Sequence, residues 1–224
     1  MASNGKARAS DSVVVIGLGR FGGQVADSLV RLGHEVLGID ADIKLVEEWS
    51  DVLTHVVQAD ATDEEALRQL GVAEFDRAVV GIGTAIEASV LSVLSLTELG
   101  VHEIWAKAIS AKHGKILTKV GAHHVVYPES AMGDRVAHLI TTRMLDYIEF
   151  DDGFAIAKVR APAEAVGKSL AEAALRTRYG VTVVGVKRAG EDFTYALPDT
   201  VVPRTSLLIV AGPTDQIQRF AATT

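Results

Sequence analysis

The chain has 224 residues, a formal net charge of −7, no cysteine, and 48% apolar residues with only 5% aromatic. This length allows one large domain or two small ones with a sizeable core. The acidic balance argues against a nucleic-acid binder, which would usually be basic. The absence of cysteine excludes a disulfide scaffold and a thiolate metal site.

Residues 1–11 lack the apolar core of a signal segment and read as a disordered lead-in. No apolar run reaches the roughly 18 residues of a membrane span. Val13–Ile16 is a short apolar run, the pattern of a strand buried on both faces. Gly17, Gly19 and Gly22 follow at the G-x-G-x-x-G spacing, and a helix is expected over Phe21–Leu32. In that context Gly17 permits the tight turn, Gly19 lets a pyrophosphate approach the backbone, and Gly22 lets the helix pack closely on the strand. The helix's free N–H groups would then face the phosphates.

Glu35–Asp40 is a second strand, ending in Asp40 at the place where an acid accepts from ribose hydroxyls. The alternation continues with a helix over Ile43–Trp49, a strand over Thr54–Gln58 and a helix over Asp63–Leu70. A strand over Arg77–Ile82, a helix over Ala85–Leu99 and a strand over Glu103–Ala108 follow. A helix over Ala111–Val120 and a strand over His123–Tyr127 complete the run. Gly33, Gly71, Gly100 and Gly121 are expected to close the helices they follow. The pattern predicts a Rossmann-like, doubly wound α/β domain with a parallel sheet covered on both faces.

A long helix is expected over Ala131–Asp146, with more apolar residues than one buried stripe needs. It would either cross to a second subunit or pack on its own sheet. After Phe150–Gly153 the pattern changes to short apolar segments at Phe154–Val159, Val181–Val186 and Leu207–Val210, with helices over Ser169–Thr177 and Thr214–Phe220. This is a small α+β module. The expected division is 1–11, 12–147 and 148–224.

Several residues carry candidate chemistry. Arg20, between the second and third glycines, stands where a helix dipole disfavours a cation, so a terminal phosphate of the ligand would explain it. A plain surface arginine is the alternative. Asp60, followed by Ala61 and Thr62 after the third strand, can accept from an adenine amino group or cap the next helix. Glu129 follows the last strand and can bind a cation near the phosphates, or serve as an acid in a first helical turn. The seven histidines, His34, His55, His102, His113, His123, His124 and His138, form no ligand pair on one helical face and read as structural or surface residues.

The string Val15–Gly23 resembles the KtrA/TrkA family, cytosolic regulatory subunits of bacterial potassium uptake systems, of the RCK type (regulators of potassium conductance). The likeness continues in Gly33–Asp40, Ala59–Thr62, Ile104–Ala108, Lys119–His123, Tyr127–Gly133 and Arg178–Val181. One copy is present, so the chain resembles KtrA more than the tandem TrkA. The resemblance implies that Gly17, Gly19 and Gly22 hold the phosphates of ATP or ADP, that Asp40 holds the ribose, and that Asp60 approaches the base. Phe21, Ala61 and Thr62 complete the candidate contacts. Arg20 would reach the terminal phosphate of ATP in the neighbouring subunit. Glu129 would help hold a cation there, such as Mg, Ca or Na. The small module, here Gly167–Val186, would bind cyclic di-AMP at a dimer interface, although Ser169-Leu170 stands where the family has an aliphatic pair. The implied protein is no enzyme. It is a cytoplasmic homodimer assembling to a homo-octamer ring beneath a membrane potassium-translocating subunit of the KtrB/TrkH type, active with ATP and inactive with ADP. The competing expectations are a regulator that binds NAD(H) and an NAD-dependent oxidoreductase.

Overall fold

The computed structural model describes residues 12–188 and 190–224; the expected lead-in at 1–11 lies outside them. The chain divides into two compact units meeting between Glu129 and Ser130. This boundary falls earlier than the expected 147/148, because the segment after Ser130 folds with the second unit.

In the first unit, strands β1 (Ser12–Ile16), β2 (Glu35–Asp40), β3 (His55–Gln58), β4 (Arg77–Val80), β5 (Glu103–Lys107) and β6 (His124–Val126) form one parallel sheet in the order β3-β2-β1-β4-β5-β6. Helices α1 (Arg20–Arg31), α2 (Ile43–Trp49), α3 (Glu64–Gln69), α4 (Ile86–Glu98) and α5 (Ala111–Lys119) connect them. The doubly wound expectation holds, with most element ends within two residues of those read from the sequence. Strand β1 explains why its sequence is a run rather than an alternation. Val14 and Ile16 pack with Leu67, Leu96 and Leu117, whereas Val13 and Val15 pack with Ala26, Val36 and Leu53. Both faces of the central strand are buried, so each residue must be apolar. All four helix-closing glycines have the positive φ that such a stop requires.

Helix α6 runs from Pro128 to Thr141, not from Ala131 to Asp146. Proline suits the first helical turn, where its missing N–H would have no partner. The far end is set elsewhere: Asp146–Phe150 forms strand β7, paired antiparallel with β8 (Phe154–Arg160). Thr141 and Thr142 also donate their hydroxyls to the carbonyls of Ala137 and His138, each at 2.7 Å.

The second unit contains a five-stranded antiparallel sheet in the order β10-β9-β11-β8-β7, where β9 is Thr182–Lys187, β10 Thr194–Tyr195 and β11 Leu207–Pro213. The expected helix over Ser169–Thr177 is two short ones, α7 (Leu170–Ala173) and α8 (Leu175–Tyr179), broken by Ala174 in the left-handed region at φ 48°. Ser169 caps α7 in a reciprocal box with Glu172. Helix α9 (Thr214–Ala221) supplies Ile217 and Phe220 to a core with Val159, Leu208 and Val210.

Candidate nucleotide site

The sheet order reverses between β1 and β4, and the crevice at the carboxyl ends of these strands is where a doubly wound sheet takes its ligand. A cleft of about 320 Å³ opens there. Gly17, Gly19, Asp40, Asp60, Ala61 and Thr62, all expected from sequence, line it together. Arg20, Phe21 and Gly22 are not part of its lining. Gly22 lies beneath the glycine turn, and the other two begin α1 beside it.

Close packing builds the glycine turn. Gly17 has φ 87° and donates its N–H to the carbonyl of Ile39 at 2.8 Å. A Cβ on Gly22 would stand 1.8 Å from the Gly17 carbonyl oxygen, so only glycine lets α1 approach the turn this closely. At Gly19, by contrast, a Cβ would meet nothing within 4 Å. That space lies over the N-terminus of α1, where Gly19 offers no side-chain cap and the first turn carries no acid. The N–H groups of a first helical turn and the helix dipole suit that space to an anion. The residues therefore fit a phosphate-bearing ligand.

Asp40 does two jobs. Its Oδ2 accepts the Leu18 N–H at 2.7 Å and its Oδ1 accepts the Asp42 N–H at 2.8 Å, which ties the glycine turn to the end of β2. Trp49 of α2 holds the same turn by donating its indole N–H to the Leu18 carbonyl at 3.0 Å. The carboxylate remains part of the cleft wall, with lone pairs left for a ribose. Asp60 Oδ1 accepts the Thr62 N–H at 2.9 Å and the Thr62 hydroxyl at 2.7 Å. These bonds, the backbone one first, hold its carboxyl below the ordinary range. The cap of α3 is Asp63, whose carboxylate accepts from Glu65 and Ala66. The capping role weighed for Asp60 therefore belongs to Asp63.

The sequence reading missed the opposite wall. Gly81, Ile82, Gly83 and Thr84 after β4, with Ala88 and Ser92 of α4, complete the cleft. A Cβ on Gly81 would stand 2.8 Å from the Gly17 oxygen and 2.9 Å from the Gly22 Cα, so two glycine turns pack face to face across the switch point. The signal was present as Gly81-x-Gly83 directly after an apolar strand.

Lys107 at the end of β5 was also missed. Its ammonium donates to Glu129 Oε1 at 2.6 Å and stands 5.6 Å from the Phe21 ring centroid. That hydrogen bond, with smaller contributions from the charges of Lys107 and Arg20, keeps the Glu129 carboxyl below its ordinary range. Arg20, Lys107 and Glu129 therefore share one electrostatic neighbourhood at the start of α1. Among the described residues no group of three or more His, Cys, Asp or Glu is gathered for a metal ion. Glu129 supplies one oxygen donor set, already occupied by an ammonium, which does not by itself make a cation site. His113 and His123 each accept a backbone N–H through Nδ1, from Ile109 at 3.4 Å and Ile104 at 3.1 Å.

Comparison with known proteins agrees with this architecture. The TrkA-N domain model matches residues 13–128 and the TrkA-C domain model residues 154–223. The chain is 40% identical to Ktr system potassium uptake protein C of Bacillus subtilis (strain 168), over 92% of this chain and 94% of that protein. It is 36% identical to Ktr system potassium uptake protein A of the same organism, over 92% and 93%. The solved GsuK RCK domain superposes with a TM-score of 0.66 at 21% identity, covering all of this chain and 48% of that one, a likeness of fold. With the two domain models in tandem and relatives this similar along nearly their whole length, the chain belongs to the TrkA-N/TrkA-C family, with Ktr system potassium uptake proteins A and C among its relatives.

Proposed function

We propose that this protein is a nucleotide-sensing regulatory subunit, without turnover of its own, that gates a membrane potassium transporter of the KtrB/TrkH type from the cytoplasmic side. The observation that carries the reading is the cleft at the switch point: an open glycine backbone, an acid at the end of β2, and a charged cluster of Arg20, Lys107 and Glu129 at the start of α1. ATP and ADP differ by one phosphate, and this cluster stands where that difference is felt. A ligand switches a protein only through differential affinity for its two states. Arg20 of a neighbouring subunit would grip the terminal phosphate, and Glu129 would help hold a cation, such as Mg, Ca or Na, once phosphate oxygens complete its shell. ATP would favour the active ring and ADP the inactive one.

Pairing of subunits is supported by α6. Met132, Val136 and Ile140 recur every four residues along it and are all exposed, Ile140 at 76%. A second copy of the chain would cover such a stripe, and four dimers would close the octamer. In the second unit a hollow of about 310 Å³ lined by Leu170, Arg176, Thr182, Val183, Leu197 and Pro198 falls largely within Gly167–Val186, where cyclic di-AMP would bind.

NAD(H) is the second reading. Asp40 serves either ligand, and the GsuK channel has been solved bound to NAD. Calorimetric titration of the purified protein with ATP, ADP, NADH and cyclic di-AMP, with and without magnesium, decides. Tight binding of ATP and ADP, with magnesium strengthening ATP more, is expected. NADH binding without ATP binding would overturn the ATP/ADP switch and leave the dinucleotide readings.

A further inference from the structure

Lys107 is placed unlike an ordinary surface lysine. Its side chain is 13% exposed, while that of its partner Glu129 is 66% exposed. It ends β5, and Glu129 lies in the first turn of α6 just beyond β6. The two strands are parallel neighbours, so their carboxyl ends meet. The ammonium also lies near the cleft wall, since a Cβ built on Gly83 would stand 3.3 Å from Nζ. Its approach to the Phe21 ring puts it beside the first turn of α1, whose N–H groups face the phosphate position. The same ammonium thus stands between an anion of the protein and the place of the ligand's anion.

We infer that Lys107 is a positioning residue shared between Glu129 and the nucleotide phosphates, and that Glu129, by holding it while no cation is bound, lowers nucleotide affinity. The inference rests on the nucleotide reading above and adds to it a residue that sets the affinity. An ammonium has three donors, but each strong acceptor competes for its position. A bound polyphosphate must draw Lys107 from Glu129 or forgo it. Releasing Glu129 therefore strengthens ligand binding, and by linkage ligand binding loosens Glu129.

The test is a double-mutant cycle on ADP affinity, measured by calorimetry in EDTA on the full-length chain, with Glu129→Gln, Lys107→Met and the double variant. Glu129→Gln is expected to tighten ADP binding by about tenfold, and Lys107→Met to weaken it by a similar factor. In the Lys107→Met background the Glu129→Gln change should have no effect, because there is no ammonium left to release. Lys107→Arg should retain part of the affinity lost in Lys107→Met. If the gain from Glu129→Gln persists without Lys107, the effect is simple repulsion between carboxylate and phosphate, and the inference is overturned. An unchanged affinity in Glu129→Gln, which leaves Lys107 intact and needs no buried change, overturns it as well. Failure of wild type to bind either ATP or ADP would instead remove the ATP/ADP switch, and this inference with it. Binding with an additive cycle removes this inference alone.

Discussion

Gly22→Ala tests whether the glycine turn is as tightly built as its geometry indicates. The added Cβ would stand 1.8 Å from the Gly17 carbonyl oxygen and 3.0 Å from the Gly17 carbonyl carbon. Ordinary contact begins near 3.4 Å, so the methyl is roughly 1.6 Å too close. Both partners are backbone, so no side-chain rotation relieves it; α1 must lift from β1 or the turn must open. Overpacking of this kind costs about 1–3 kcal/mol, with the upper end apt for backbone against backbone. Alanine returns about 1 kcal/mol of helix propensity. The net loss is about 2 kcal/mol, or about 4–8 °C in Tm for a chain of this size. Gly19→Ala is the internal control: its Cβ meets nothing and its φ is −62°, so the fold should lose only about 0.5–1 kcal/mol, through the poorer N-cap that alanine makes. The same methyl occupies the approach of the phosphates and should weaken ADP binding by at least about tenfold. Thermal melting and calorimetry of the two variants read both quantities. A Gly22→Ala protein that melts with wild type would refute the packing argument. A Gly19→Ala protein with unchanged ADP affinity would refute the placement of the phosphates.

Arg20→Ala should reduce ATP affinity more than ADP affinity, narrowing their ratio by about tenfold, as read by competition calorimetry; an equal loss for both would remove the terminal-phosphate role. Asp40→Asn replaces one carboxylate oxygen by an amide that cannot accept, so the Leu18 or the Asp42 N–H loses its partner. A stability loss of about 1–2 kcal/mol by denaturant titration is expected together with weaker nucleotide binding. Arg135 in α6 pairs with Asp146 of β7, and its hydrogen bond, followed by that from the Tyr147 N–H, holds the Asp146 carboxyl below its ordinary range. A depressed carboxyl contributes stability above its unfolded pKa and loses it as pH falls through the folded one. The Tm gap between wild type and Asp146→Asn should therefore be full above about pH 5 and close progressively below about pH 4. A gap independent of pH would show that the pair is not what Asp146 contributes.

The sequence by itself determined the elements whose cause is local. The run Val13–Ile16 needed two buried faces, Gly17 needed a positive φ, and Asp40 ended an apolar strand; each statement depends on a few neighbouring residues, and together they located one wall of the cleft. Asp60 and Thr62 were legible for the same reason, since their bonds span two residues. What tertiary structure decided was everything set by pairing between distant segments. Helix α6 ends at Thr141 because β7 pairs with β8, a competition that helical periodicity does not register. Ala174 enters the left-handed region between α7 and α8, although its local sequence reads as continuous helix. The face-to-face glycine turns at Gly17 and Gly81 exist because β1 and β4 are neighbours in the sheet. Lys107 and Glu129, 22 residues apart, meet only because β5 and β6 lie side by side and end at the same edge. Local sequence specifies the conformation of a turn or a strand, but which distant charges meet is chosen by strand order.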